Sequence, residues 1–221
     1  MATIPFDPAQ LPIDSIAEEG ALPPERLLAH WLRAQFGNPP AWQAEPCDES
    51  LAGRAVMTPA SVLIALVQRP EGLSMLLTQR TAHLTDHPGQ ISFPGGRAEA
   101  YDACAEDTAL RETEEEIGLH RRHIEIVGRL PDYVTGTGYC VTPVVGLVTP
   151  PFTLAPDANE VAEIFEVPLH FLMDAANHQR LSFEMPENAG RRSFYAMPYK
   201  RFFIWGATAG MLRNLFHFLR A

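Results

Sequence analysis

Residues 111–118 read Arg111, Glu112, Thr113, Glu114, Glu115, Glu116, Ile117 and Gly118, which puts four carboxylates in five positions. On a helix, Glu112 and Glu116 share one face, with Glu115 beside them. Like charges at that spacing repel by roughly a few tenths of a kcal/mol when exposed, and by more when partly buried. A divalent cation turns that repulsion into binding. Hard cations such as Mg2+ take oxygen ligands, usually one or two carboxylates together with substrate phosphates. The rival reading is a solvated acidic face. Against it, the acidic charge gathers at the C-terminal end of the helix, where the macrodipole disfavours it. An arginine stands directly before the first glutamate. Glycines punctuate both ends, and Gly118 suits a helix C-cap.

The elements that must hold this stretch are a glycine turn at Gly95-Gly96-Arg97 and a helix over residues 102–117. Residues 61–67 form a strand too apolar to alternate, hence buried on both faces. Arg69-Pro70-Glu71-Gly72 turns the chain into a returning strand over 73–79. Residues 80–94 read as a polar loop with a short strand around 90–93. Strands are expected at 124–130, 139–148 and 160–167, with a short helix over 168–176. Residues 181–183 and 192–197 pair as a hairpin. Phe202-Phe203-Ile204-Trp205 leads into a helix over 208–219, striped with Leu212, Leu215, Phe216 and Leu219. Upstream, residues 1–22 read as an irregular, proline-spotted arm. Pro23-Pro24-Glu25 opens a helix carrying Leu27, Leu28, Trp31, Leu32 and Phe36 at helical spacing. Residues 41–54 read as a loop. Without a strict βαβ alternation, a mixed sheet between helices fits the α/β class. The division is an arm and helix over 1–54, packed on a domain over 55–221.

Composition bounds the rest. The chain has 221 residues and 46% apolar content, enough for one globular domain with a real core. A net charge of −10 argues against nucleic-acid or membrane binding through a basic surface. It permits phosphate-bearing small molecules, since a metal and a few arginines reverse the sign locally. Cys47, Cys104 and Cys140 are few, odd in number and far apart, which reads as unpaired thiols in a reducing compartment. No secretory leader and no run of 18 apolar residues is visible, so the expected location is the cytoplasm. The arm packs on its own domain or on a partner subunit, which leaves a homodimer open.

The stretch from Gly96 to Leu119 resembles a Nudix box: Gly, five residues, Glu, seven residues, Arg-Glu, an apolar residue, any residue, Glu-Glu, any residue, Gly, an apolar residue. Here Asp102 stands where that pattern has Glu, eight residues rather than seven precede Arg111-Glu112, and Thr113 occupies a usually apolar position. The upstream run Leu76-Leu77-Thr78-Gln79-Arg80-Thr81, with Leu84, His87, Gly89-Gln90-Ile91 and Phe93-Pro94-Gly95-Gly96, is similar to the signature of the coenzyme A pyrophosphatase branch. Val141-Thr142-Pro143, Asn159-Glu160-Val161, Glu166-Val167-Pro168-Leu169 and Trp205-Gly206-Ala207-Thr208 also resemble that branch. The likeness runs from about residue 61 to the C-terminus.

The resemblance implies a Nudix α/β/α sandwich and a Mg2+- or Mn2+-dependent hydrolase. Glu112 and Glu116 are the first choice as metal ligands. Glu115 is a third ligand or polarises the attacking water. The family also implies a Gly96 carbonyl at the metal and Arg111 pinning a catalytic carboxylate. Glu160 is a candidate extra base or ligand, and Glu114 reads as merely solvated. Arg80, His87, Gln90 and Arg97 are candidate substrate contacts; His87 either donates to phosphate or holds its loop. Lys200 and Arg201 read equally as phosphate contacts or a solvated pair. The implied substrate is a nucleotide of the coenzyme A type, cleaved to 4'-phosphopantetheine and adenosine 3',5'-bisphosphate. The rivals are hydrolysis of ADP-ribose, NADH or an oxidised nucleoside triphosphate, and a non-catalytic nucleotide sensor. A covalent serine mechanism and a P-loop are rejected, because neither Gly-x-Ser-x-Gly nor Gly-Lys-Ser/Thr occurs where it would be needed.

Overall fold

The computed structural model describes residues 7–45, 57–84, 87–184 and 190–221. Its centre is a mixed eight-stranded sheet. β2 (Thr58–Arg69) runs through the middle. It turns into β3 (Gly72–Arg80) as an antiparallel hairpin and pairs in parallel with β8 (Tyr139–Val148). β4 (Ile91–Ser92) and β9 (Val161–Pro168) flank β3, and β6 (Ile124–Arg129) and β7 (Tyr133–Val134) flank β8.

The unbroken apolar run in β2 has the expected consequence. Leu63, Ala65 and Val67 face one cluster, which packs under helix α2 (Ala105–Ile117); Ile64 and Leu66 face the other. That second cluster holds α1 (Ala29–Gly37) and the C-terminal helix α4 (Gly206–Arg220). Helices thus cover both sides of a mixed sheet, the α/β arrangement anticipated from the sequence.

Several local expectations are corrected. Gly95-Gly96-Arg97 is not a free turn but strand β5 (Gly95–Arg97), with Ser61 opposite Gly96 and Val62 opposite Gly95. Helix α2 starts three residues later than expected, after Cys104. The carboxylate of Asp102 instead accepts from the Glu99 amide and the Thr108 hydroxyl, each at 2.9 Å. The arm is not wholly irregular: β1 (Ile13–Ile16) pairs with β10 (Gln179–Glu184), and β11 (Arg191–Tyr199) and β12 (Phe202–Trp205) complete a second, four-stranded sheet. The β10–β11 hairpin is the expected one, with Leu181 opposite Phe194. The helix expected from residue 23 is a 3-10 turn (Pro24–Leu27) followed by α1, because Leu28 is extended. Likewise residues 168–176 divide into α3 (Leu169–Leu172) and a 3-10 turn starting at Ala175. Cys47 and the loop from residue 46 to 54 lie outside the described residues.

The N-terminal segment is bound to the far end of the chain. Buried Arg213 of α4 pairs with Glu19 and, at 3.0 Å, with Glu45. Glu45 also accepts from Tyr195 and meets His217 at 2.9 Å.

Candidate active site

The site is built where α2 lies against β5. Thr108, Ala109, Thr113 and Ile117 anchor the helix on the sheet. Thr113 fits a fully buried position because its hydroxyl donates back to the Ala109 carbonyl at 2.6 Å. Gly118 takes φ +68° and closes the helix through a bond from its amide to the Glu114 carbonyl.

This seating turns Glu112 and Glu116 toward the two glycines. The Gly95 amide donates to Glu116 Oε2 at 3.1 Å. A methyl group on Gly96 would lie 2.5 Å from Glu112 Oε2, so only glycine leaves room for that carboxylate. Glu116 is 6% exposed, and burial pushes its carboxyl up to about 8. The Gly95 amide and the Arg80 guanidinium oppose that rise, while Glu160 and Glu112 add to it. Burial also raises Glu112, against the pull of Arg111.

Arg111 is the hub. Its Nη1 donates to Glu112 at 2.8 Å and to Glu115 at 2.9 Å. Its other edge forks onto Asp102, from Nε at 3.0 Å and from Nη2 at 2.9 Å, and Nη2 also reaches the Arg97 carbonyl. The guanidinium holds the Asp102 carboxyl well below the usual carboxylate range. Asp102 therefore braces Arg111, a contact that sequence reasoning passed over. The paired departures at this position, Asp for Glu and one extra loop residue, were the available signal. Glu114 is likewise not merely solvated, since both its oxygens are taken by the amide and guanidinium of Arg121.

The remaining candidates divide. Glu160 sits in the turn before β9, electrostatically coupled to Glu112 and Glu116. Arg80, at the end of β3, is coupled to Glu116, and its buried Nε has no hydrogen-bond partner among the described residues. Gln90 joins Arg80 through its carbonyl. His87 is exposed at φ +56°, and its carbonyl accepts from the Gln90 amide, so its backbone holds the loop. Arg97 is exposed and reaches the Tyr139 hydroxyl at 3.4 Å. Arg201 does not stand free: it pairs with Glu163 and lies over Phe202, while Lys200 lies over Tyr199.

One buried and one half-buried carboxylate with raised proton affinity, close to the Arg80 guanidinium, suit a hard cation and a phosphate together. Among the described residues no three metal-binding side chains already close on one point.

A family model described as the NUDIX domain matches residues 57–185. The chain belongs to the Nudix family. The chain is 40% identical over 156 residues to the "Uncharacterized Nudix hydrolase NudL" of Escherichia coli (strain K12), covering 71% of this chain and 80% of that protein. Its counterpart in Shigella boydii serotype 18 is 39% identical over the same span. Among solved structures, a MutT/nudix family protein from Enterococcus faecalis is similar at TM-score 0.47 and 16% identity, covering 84% of this chain and 72% of that one. The NUDIX domain of Shewanella oneidensis NrtR, complexed with ADP ribose, is similar at TM-score 0.40 and 20% identity, covering 62% and 82%. The protein is a Nudix hydrolase of α/β architecture, and among its described residues no helix is long and apolar enough to cross a membrane.

Proposed function

We propose that this Nudix hydrolase cleaves the pyrophosphate of coenzyme A and its acyl derivatives, releasing 4'-phosphopantetheine, free or acylated, and adenosine 3',5'-bisphosphate. The observation that carries a pyrophosphate reading is buried Glu116 beside Glu112, both raised in proton affinity by burial and by nearby carboxylates, with Arg80 alongside Glu116. The coenzyme A part rests on the resemblance of residues 76–96 to that branch.

Glu112 and Glu116, with the Gly96 carbonyl, are the groups that would hold Mg2+ or Mn2+. The ion, when bound, lowers the pKa of water and neutralises charge on the phosphate oxygens. Arg111 keeps Glu112 and Glu115 at fixed separation. Glu115, exposed at the helix rim, accepts the proton of the attacking water, and Glu160 is the second candidate for that role. Arg80, whose charge acts on Glu116, is the guanidinium assigned to a phosphate oxygen. Gln90 and His87 shape the loop behind it, and Arg97 stands at the exposed edge. The activity is assigned to the cytoplasm and to a domain over 55–221 with residues 1–54 packed on it. A homodimer stays compatible with it.

The test is turnover of coenzyme A, ADP-ribose and NADH by purified protein with Mg2+ or Mn2+, beside Glu116→Gln. Preference for coenzyme A, with loss of about 10³-fold or more in Glu116→Gln, supports the reading. Preference for ADP-ribose or NADH moves the substrate. A wild type inert on all three that still binds coenzyme A tightly makes the protein a nucleotide sensor.

A further inference from the structure

A cavity of about 350 Å3 opens between the 3-10 turn after α2 (Arg121–His123) and residues 151–153. His120, Arg122 and His123 line one side, and the half-buried ring of Phe152 lines the other. In a chain of net charge −10, this is a local reversal of sign.

Neighbouring bonds fix where the donors point. The Arg122 amide donates to His120 Nδ1 at 3.1 Å, which leaves the ring proton on Nε2. Arg122 Nε donates to His123 Nε2 at 3.1 Å, so His123 orients the guanidinium. The two Nη groups of Arg122 have no hydrogen-bond or ion-pair partner among the described residues. Arg121 differs, since it is committed to Glu114 through two bonds. Glu114 is the carboxylate near His120, at 3.4 Å, and Arg121 already offsets its charge.

A helix C-terminus ordinarily repels anions. Here its last carbonyls are occupied. The Ala155 amide donates to the Ile117 carbonyl at 2.8 Å, and the Asp157 amide donates to the Glu116 carbonyl at 2.9 Å. The Phe152 ring is held by Arg69, whose guanidinium carbon lies 5.5 Å from the ring centre and which is itself forked onto Glu166. The ring packs against the core and lies 6.2 Å from that of His123, and the part of it that lines the cavity, beside free guanidinium and imidazole donors, matches a flat heterocycle that carries a phosphate.

We propose that this cavity is a second ligand site, outside the carboxylate cluster, for a nucleoside phosphate. Arg122 Nη and His120 Nε2 bind the phosphate, and Phe152 stacks on the base. The occupant is either a free nucleotide or the nucleotide end of the substrate. Binding does not depend on the hydrolase reading, because the assay measures association and not turnover.

The test is calorimetric titration of AMP and, separately, inorganic phosphate into wild type, Arg122→Ala and Phe152→Leu in metal-free buffer. Arg122→Ala is expected to weaken both ligands by about tenfold or more. Phe152→Leu, which keeps the packing, is expected to weaken AMP by about tenfold and leave phosphate unchanged. Identical affinities in wild type and Arg122→Ala, or no AMP binding at millimolar concentration, overturn the site. With Arg122→Ala, a KM for coenzyme A that rises in step with the AMP Kd identifies the substrate's own end as occupant. An unchanged KM identifies a free nucleotide.

Discussion

Burial without a matching cation leaves Glu116 holding a proton across most of the physiological range. Its carboxyl has an unfolded value of 4.5 and a folded value of about 8. Between these values the metal-free native state keeps a proton that the unfolded chain has lost. Native stability therefore falls as pH rises through that window, by up to about 1.4 kcal/mol per unit. Glu116→Gln removes the penalty. In EDTA it should melt above wild type at pH 9 and with wild type at pH 4. Mg2+ should raise the wild-type melting temperature and leave the variant unmoved; parallel melting curves for the two proteins would sink this account. Gly96 makes a second prediction. The methyl of Gly96→Ala would displace only the flexible end of Glu112. Melting should barely change, while kcat should drop by about 10²-fold, as expected for a misplaced catalytic group. In Gly95→Ala the new methyl meets Val62 Cα at 2.5 Å, so that variant should lose stability instead.

Helix α2 presents its carboxylates in a fixed pattern because a strap crosses from Asp102 to Arg111. Asp102 receives four hydrogen bonds: two from the Arg111 guanidinium, one from Thr108 and one from the Glu99 amide. Arg111 in turn spans Glu112 and Glu115. Asp102→Asn keeps the size but weakens the fork. The expected cost is about 10- to 100-fold in kcat, the usual range for partners that orient metal ligands. Asp102→Glu should not rescue, because its extra methylene pushes the guanidinium away from Glu112. Kinetics of the two variants, with melting as control, check this. Wild-type kcat in Asp102→Asn would show that Arg111 needs no such support.

The molecule as a whole is closed by Arg213. This cation, 4% exposed, joins the N-terminal segment through Glu19 and Glu45 to α4 and Tyr195. Arg213→Ala strips Glu19 of its cation and leaves Glu45 to His217 and Tyr195, and should destabilise by about 3 kcal/mol in urea unfolding. A loss below about 1 kcal/mol would mean that the β1–β10 pairing and buried Leu22, Leu27 and Leu32 hold the segment without the ion pairs of Arg213. Glu45 adds a pH signature. Its carboxyl is pushed down to about 2, chiefly by His217 and, after a burial penalty, by Arg213 and Tyr195. Its contribution is complete above 4.5 and is lost as pH falls toward about 2. Glu45→Gln should therefore flatten the acid limb of the stability profile.

What could be read from the chain alone were features set by local spacing. The apolar run at 62–67 required burial on both faces. The spacing of Glu112 and Glu116 placed two carboxylates on one helical face, and Gly118 marked where that helix ends. These follow from periods of two and 3.6 residues, which every sequence carries openly. The features that were missed depend on partners distant in sequence. β1 is a strand only because β10 lies beside it, and Gly95–Arg97 is a strand only because β2 offers Ser61 and Val62. The role of Asp102 appeared only when a loop brought it back onto Arg111, nine positions away. The proton affinity of Glu116 is also a tertiary property, because desolvation depends on what covers a group and not on its neighbours in the chain. Sequence thus determined which groups the helix presents, and packing of α2 against β5 decided their charge, their separation and the space left for a ligand.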